Sequence, residues 1–189
     1  VRQPASFCGL VGVKPTYGRV SRHGLLAFAS SFDQISPFAK SVEDVALVLE
    51  IIAGGDEFDS TASQKEVPSY IPSQNGKKRI AYFKDCVESE ALDPTIKARF
   101  IEVVEKMKAD GHTVEAVDFP MLDHLIPTYY VLTTAEASSN LSRYDGMRYG
   151  YRSEKAHDLE STYKLSRSEG FGPEVKRRIM LGTFVLSAG

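Results

Sequence analysis

The sequence predicts an α/β fold, and a segment near its middle carries most of that prediction. Residues 78–83 have the pattern of a short strand, residues 94–110 that of an amphipathic helix, and residues 112–119 that of a second strand. Gly111 is placed to end the helix, because glycine is the usual residue just past a helix C-terminus. A strand, a helix and a strand in this order predict two parallel strands joined by a right-handed crossover.

The segment before this unit is dense in small residues, which allow backbone segments to approach closely. Residues 9–14 are predicted as a short buried strand, and residues 25–30 as a further stretch that packs on a core. Ser41 is a good N-cap for a helix that ends near Gly54. The predicted buried faces are Val42, Val45, Ala46, Leu49 and Ile52 on this helix, and Ile96, Phe100, Val103, Val104 and Met107 on the helix at 94–110.

The last third of the chain is predicted to be helical, and Pro173 suits the first position of its final helix. The predicted helices span 125–143, 156–168 and 173–188. A polar loop at 56–76 precedes the strand–helix–strand unit. We interpret the chain as an internal part of one domain, with regions at 1–55, 78–119 and 125–189.

Composition excludes several classes of protein. The net charge of −2 is far from that of a broadly basic nucleic-acid binder, so any RNA contact is local or made by a partner. Cys8 and Cys86 are too few for a disulfide framework and are predicted to be buried free thiols of a reducing compartment. No apolar run approaches the ~20 residues of a membrane span. The four histidines match no metal spacing, and the segment after Phe83 lacks the glycines of a phosphate-binding loop.

Few residues stand out as candidates for chemistry when read singly. We interpret Lys14 as a structural lysine that pairs or caps near a site. The polar cluster at 30–34 is most simply a turn, although it could border a substrate pocket. Residues 136–141, EASSNL, put many polar side chains on a helix that should pack, which is typical of a polar-lined cleft. The alternative is a solvated helical face.

The first 21 residues, VRQPASFCGLVGVKPTYGRVS, are the most specific part of the chain. They resemble the downstream half of the amidase signature. That resemblance implies an α/β fold with a mixed sheet covered by helices, and a serine nucleophile immediately before Val1, activated by a Ser–Lys relay further upstream. We therefore assign no catalytic residue and no metal to this chain. It is expected to be inactive alone, and to fold incompletely because both ends look like cuts through packed elements.

The tract from Tyr129 to Thr183 further resembles the A subunits of glutamyl-tRNA(Gln)/aspartyl-tRNA(Asn) amidotransferases. The resemblance implies a glutamine pocket with Tyr129 and Arg178, or Tyr130 and Arg177 if the register differs by one. An arginine fork suits this role, because it binds a carboxylate through two parallel hydrogen bonds.

The same resemblance implies a glutaminase subunit that supplies ammonia to a partner. It implies that this chain binds no cofactor, and that ATP and Mg²⁺ belong to a partner B subunit, which also makes most tRNA contacts. A small C subunit would complete the complex in the cytoplasm or an organelle, with no membrane contact. Two alternatives remain open: a stand-alone amidase acting on other amides, and a non-catalytic interaction module.

Overall fold

The computed structural model describes residues 1–72 and 76–187 of the chain. The chain divides into two compact units: one combines Val1–Pro72 with Tyr130–Gly189, and the other is Ser73–Tyr129. Helices and short strands occur in both the first and second half of the chain, so the predicted α/β class is confirmed. Among the described residues the strands form two small sheets of two strands each, one antiparallel and one parallel.

The first unit begins with a short helix that the sequence did not lead us to predict, α1 at Arg2–Phe7. Strand β1, Val11–Gly12, pairs antiparallel with β2, Phe38–Ala39. β1 lies inside the strand predicted at 9–14 but is shorter and only half-buried. Gly12 explains why α1 lies so close to it: a Cβ at Gly12 would stand 2.7 Å from the Cβ of Ala5, the one buried residue of α1.

Helix α2, Val42–Ile52, begins where the sequence predicts. The Ser41 hydroxyl accepts a hydrogen bond from the Asp44 amide at 3.1 Å, which is an N-cap. The predicted buried face is correct for Val45, Ala46 and Leu49. At the two ends of the helix the face is less covered: Val42, the first helical residue, is exposed, so the prediction is wrong there, and Ile52, the last, is half-buried.

An irregular segment, residues 56–72, follows α2, and we call it the strap. Arg19 holds its far end, donating from its guanidinium to the Lys65 carbonyl at 2.8 Å, the Glu66 carbonyl at 2.7 Å and the Tyr70 hydroxyl. The Ser63 amide donates to the Gly18 carbonyl at 2.7 Å. These bonds fix a segment that was predicted only as a polar loop; residues 73–75 of that loop lie outside the described residues.

The second unit contains the predicted strand–helix–strand arrangement. Strand β3 is Arg79–Phe83 and β4 is Thr113–Val117, and they pair in parallel with Ile80 opposite Val114. Between them lie a five-residue helix α3, Lys84–Glu88, which was not predicted, and the long helix α4, Pro94–Ala109. Asp93 caps α4 by accepting from the Thr95 amide at 2.7 Å. A single 3₁₀ turn, Leu122–His124, follows β4.

The predicted inner face of α4 is only partly correct. Val104 is buried, and Phe100 and Met107 are half-buried. Ile96 and Val103 are exposed instead, because a pair of strands covers only a narrow stripe of a helix. The sequence showed which residues share a face of α4, but the width of the covered stripe depends on the sheet.

The last part of the chain forms the helices α5, Leu125–Leu141, α6, Leu159–Gly170, and α7, Pro173–Ser187. Helix α6 begins three residues later than predicted, since Asp158 and Ser161 form a reciprocal capping box at its start. Pro173 is the first residue of α7, as predicted. Within residues 1–72 and 76–187, no helix is long and apolar enough to cross a membrane.

Both cysteines are free thiols, as predicted, but the prediction that they are buried is wrong. Cys8 follows α1, whose only buried position is taken by Ala5. Cys86 lies in α3, where the neighbouring Val87 takes the buried position. Both helices are too short to bury a second residue on another face.

Candidate functional site

The candidate site is built on a close contact between α5 and α7. Gly182 of α7 lies against the backbone of α5, and a Cβ there would overlap the Thr134 carbonyl oxygen and stand 2.8 Å from the Ser138 Cβ. The hydroxyls of Ser138 and Thr183 are 2.9 Å apart, within hydrogen-bond distance. Thr134 and Ala137 are fully buried. The small residues of α5 and the glycine of α7 therefore fix α7, and with it Arg178, one turn before Gly182.

A tight loop at residues 28–33, which we call the 28–33 loop, forms the second part of the site. The Asp33 carboxylate accepts hydrogen bonds from the amides of Phe28 at 2.8 Å and Ala29 at 3.0 Å. These bonds turn the chain back on itself, and so the stretch predicted at 25–30 to pack on a core buries only Ala29. Leu26 is largely exposed.

Polar side chains of α5 bind this loop. The Ser31 amide donates to the Glu136 carboxylate at 2.9 Å. The Ser30 hydroxyl donates to Asn140 Oδ1 at 2.9 Å, and Asn140 Nδ2 donates to the Phe28 carbonyl at 3.3 Å. Part of the polar tract at 136–141 thus faces a loop of its own unit, which accounts for polar residues on a packed helix.

Arg178 reaches the same loop from α7. Its guanidinium carbon is 5.8 Å from the centroid of the Phe28 ring, a cation–π distance. Its Nε donates to the Glu174 carboxylate one turn earlier, and 28% of its side chain is exposed. Arg177, the alternative in the other register, is exposed, and its Nε donates to the Pro173 carbonyl at 3.4 Å. Of these two arginines, Arg178 is the one beside the 28–33 loop.

The predicted tyrosines are consecutive on α5. Tyr129 is 51% exposed and is the last residue of the second unit, whereas Tyr130 is 47% exposed and belongs to the first. The Tyr130 carbonyl accepts the Thr134 hydroxyl at 2.6 Å. The choice between Tyr129 and Tyr130 as a glutamine contact stays a prediction, as does the role of Arg178.

Lys14 has the pairing role predicted for it. Its ammonium donates to the Pro15 carbonyl at 2.7 Å and to Gln34 Oε1 at 3.1 Å. Both acceptors are neutral, and Gln34 immediately follows the 28–33 loop. Lys14 therefore ties the first strand region to that loop.

A second set of contacts, not foreseen from the sequence, joins the loop to the strap through Arg22. The Arg22 guanidinium donates to the Ser30 carbonyl and to the Thr61 hydroxyl, the latter at 2.9 Å. It stacks 4.8 Å from the centre of the Tyr17 ring, and the Arg22 amide donates to the Asp59 carboxylate at 2.8 Å. A cavity of about 170 Å³ lies here, lined in part by Arg22, Ser30, Asp33 and Asp59.

The electrostatics of this cluster favour an ionised Asp59. The Thr61 hydroxyl donates to its carboxylate at 2.6 Å, and the backbone amides of Arg22 and Thr61 donate as well. These hydrogen bonds, aided by the charge of Arg22, lower the pKa of Asp59 to about 2. The one sequence signal for Asp59 was its place in the run Asp59-Ser60-Thr61, which is typical of a turn.

No metal centre accompanies these residues: across 1–72 and 76–187, no group of three or more His, Cys, Asp or Glu could hold a metal ion. The Arg178 guanidinium lies on the Phe28 ring, beside the 28–33 loop, which amide, carboxylate and hydroxyl groups hold in place. Such an arrangement can present a positive charge to a small anionic group.

Comparison with protein families identifies the family of the whole chain. A family model described as Amidase matches residues 1–189. The chain belongs to the Amidase family. It is 53% identical over its whole length to the A subunit of glutamyl-tRNA(Gln) amidotransferase from Acinetobacter baumannii, and 56% identical to that from Fusobacterium nucleatum. The chain spans about 39% of the length of each of these relatives.

Solved structures agree with the family. The crystal structure of the A subunit of glutamyl-tRNA(Gln) amidotransferase from Thermotoga maritima matches all of this chain and 36% of its own, with a TM-score of 0.68 and 39% identity. The peptide amidase from Stenotrophomonas maltophilia matches 97% of this chain and 38% of its own, with a TM-score of 0.65. At 22% identity, the second match supports the shared fold alone.

Proposed function

We propose that the complete protein is the glutaminase subunit of a tRNA-dependent amidotransferase. The observation that carries this proposal is the 53% identity to an A subunit of such an enzyme over the whole of this chain. The position of Arg178 beside the 28–33 loop adds to it, since an arginine for an amino-acid carboxylate suits a glutaminase better than a general amidase.

The proposed reaction is hydrolysis of glutamine through an acyl-enzyme. A serine oxygen attacks the side-chain amide carbon, the C–N bond breaks and ammonia leaves; water then cleaves the ester and releases glutamate. We assign none of these bond changes to residues of this chain. Its proposed contribution is substrate binding, and it needs no metal or cofactor of its own for that.

Arg178 is proposed to bind the α-carboxylate of glutamine, with Tyr129 orienting the substrate. Phe28 under the guanidinium and Glu174 at its Nε limit the rotation of this side chain. A guanidinium already held in place loses less conformational freedom when a carboxylate binds, which improves affinity.

The remaining steps are proposed for partner subunits. The ammonia would pass to a B subunit, which uses ATP and Mg²⁺ to activate the glutamyl or aspartyl group of a mischarged tRNA. A small C subunit would complete the complex, in the cytoplasm. The net charge of −2 suits a chain that leaves most tRNA contacts to its partner.

The test is glutamine hydrolysis by the complete protein with its partner subunits, comparing Arg178→Ala with the neighbouring Arg177→Ala. Loss of a charge-assisted contact predicts a KM for glutamine raised about 10- to 100-fold in Arg178→Ala. Arg177→Ala should stay near wild type because this arginine is exposed and its Nε donates to the Pro173 carbonyl rather than to the 28–33 loop. Equal KM values in all three proteins would contradict the assignment and favour a stand-alone amidase acting on uncharged amides. Absence of any amide hydrolysis in the wild type would favour a non-catalytic module.

A further inference from the structure

We infer that Asn140 and Glu136 are positioning residues that fix the 28–33 loop under Arg178 and so set the affinity for the substrate carboxylate. This inference rests on the proposed function, because it assumes that Arg178 contacts the substrate. Neither residue need touch glutamine. Both would act through the backbone of the loop and the ring of Phe28.

The two residues are four positions apart on α5, and side chains with that spacing lie on the same face of a helix. Asn140 uses both ends of its amide: Oδ1 accepts from Ser30 and Nδ2 donates to the Phe28 carbonyl. Glu136 accepts the Ser31 amide at 2.9 Å. One helix face thus holds three groups of the loop, more than 100 residues away in sequence.

Phe28 is consequently fixed from both sides of its backbone. Its amide donates to the Asp33 carboxylate at 2.8 Å within the loop, and its carbonyl accepts from Asn140 at 3.3 Å. With both backbone groups held, the ring has little freedom to move away from the Arg178 guanidinium, whose carbon lies 5.8 Å from the ring centroid. Releasing the carbonyl would allow the loop to shift and the arginine to sample other rotamers.

Asn140 is itself held in place by Arg143. The Arg143 guanidinium donates to Asn140 Oδ1 at 3.1 Å and to the Asn140 carbonyl at 3.0 Å. Because Oδ1 accepts from both Ser30 and Arg143, the amide is oriented with its nitrogen toward Phe28. An aspartate here would keep the acceptor and lose the donor, which makes Asn140→Asp an informative conservative change.

The experiment measures glutamine hydrolysis by the complete protein with its partner subunits, for Asn140→Ala, Asn140→Asp and Glu136→Gln. We expect the KM for glutamine to rise about fivefold in Asn140→Ala, with kcat changed less than about twofold, because one or two neutral hydrogen bonds are lost. Asn140→Asp should match Asn140→Ala, since it removes the bond to Phe28. Glu136→Gln replaces a charged acceptor of the Ser31 amide with a neutral one, which weakens this bond, so the KM should rise about twofold, less than in Asn140→Ala. Ser142→Ala, which removes only a local bond to the Ser139 carbonyl, is the matched control on the same helix end.

Combining Asn140→Ala with Arg178→Ala distinguishes a role of Asn140 that acts through Arg178 from a merely structural role. If Asn140 acts through Arg178, the double variant should have the KM of Arg178→Ala alone, whereas independent damage would multiply the two effects. A KM unchanged in Asn140→Ala but raised in Arg178→Ala overturns this inference and leaves the proposed function standing. So does a fully multiplicative double variant. A KM unchanged in Arg178→Ala itself removes the proposed substrate contact and the positioning role with it.

Discussion

The strand–helix–strand unit and the region formed by α5, α7 and the 28–33 loop use polar side chains over different distances in sequence. In the first, some contacts are local, as where Asp93 caps α4, and others join its two strands, as where Arg79 pairs with Glu115, 36 positions away. In the second, Asn140 and Glu136 reach residues more than 100 positions away. Local contacts support a helix wherever it lies, whereas distant ones fix the position of one element against another. The second region is therefore the one built to hold a side chain such as Arg178 in place.

The two regions also differ in what they bury. Among the described residues, the strand–helix–strand unit buries the aliphatic side chains Val87 and Val104. The region formed by α5, α7 and the 28–33 loop buries small and hydroxyl-bearing residues: Ala29, Thr133, Thr134, Ala137 and Gly182. Aliphatic cores tolerate small shifts better than a contact in which two helix backbones nearly touch. Added atoms should therefore be far less tolerated between α5 and α7.

The largest effect on stability is expected from Gly182→Ala. The added methyl would overlap the Thr134 carbonyl oxygen, a backbone atom that cannot rotate away. We expect a loss of about 2–3 kcal/mol in the free energy of unfolding, even after the better helix propensity of alanine is allowed for. Because α7 carries Arg178, glutamine hydrolysis should fall as well. Denaturant unfolding of the complete protein measures the first effect.

Gly172→Ala is the matched control, since a Cβ at Gly172 has nothing within 4 Å. It precedes α7 and should leave both stability and activity near wild type. Equal stability of the two variants would mean that α5 and α7 are not packed as closely as described.

In the strand–helix–strand unit, Val104→Ala should have a smaller effect. It removes two methyl groups from the buried position of α4, worth about 1.5 kcal/mol in the free energy of unfolding. Val103→Ala, at the exposed neighbouring position, removes the same atoms and should cost much less. Hydrogen exchange of the α4 amides reports the difference locally. Similar exchange rates in the two variants would mean that Val103 is buried, as the sequence predicted.

Gly111→Ala tests the comparison with Gly182 most directly. Gly111 has a φ of +85°, so alanine there adopts a left-handed conformation at a cost of about 1 kcal/mol. The nearest atom to the added Cβ is Lys77 Nζ, the end of a flexible side chain that can move aside. We therefore expect a loss near 1 kcal/mol by denaturant unfolding, smaller than for Gly182→Ala. A greater loss than that of Gly182→Ala would reverse the proposed difference between the regions.

The same contrast explains what the sequence could predict. Ser41, Gly111 and Pro173 act on the residues next to them, so the ends of their helices could be predicted. The parallel pairing of β3 and β4 followed from the order of strand, helix and strand. Motif resemblance led to the family. These inferences need only local rules or a recognised run of residues.

The rest depends on partners distant in sequence. No periodicity indicates that Asn140 binds the Phe28 carbonyl, or that Arg22 joins the loop to the strap. The expectation of a packed stretch at 25–30 was wrong because Asp33 turns the chain back. Cys8 and Cys86 were predicted as buried from apolar neighbours, yet short helices have room to bury a single residue. The glutamine contacts of Tyr129 and Arg178 stay predictions.

The smallest expected effect is a loss of stability in acid that depends on Asp59 of the strap. Hydrogen bonds from Thr61 and from the amides of Arg22 and Thr61 lower the pKa of Asp59 to about 2, from an ordinary value of 3.8. A carboxyl whose pKa is lower in the folded state stabilises the fold above its ordinary pKa, and that stabilisation is lost as pH falls toward the folded value. The stability lost in Asp59→Asn should therefore be constant above about pH 5 and shrink between about pH 4 and pH 2. Asp93→Asn in the strand–helix–strand unit should show a much smaller difference above about pH 5, because asparagine caps a helix as well as aspartate does. A stability difference between wild type and Asp59→Asn that stays constant across this acid range would show that Asp59 does not hold the strap to Arg22 through its charge.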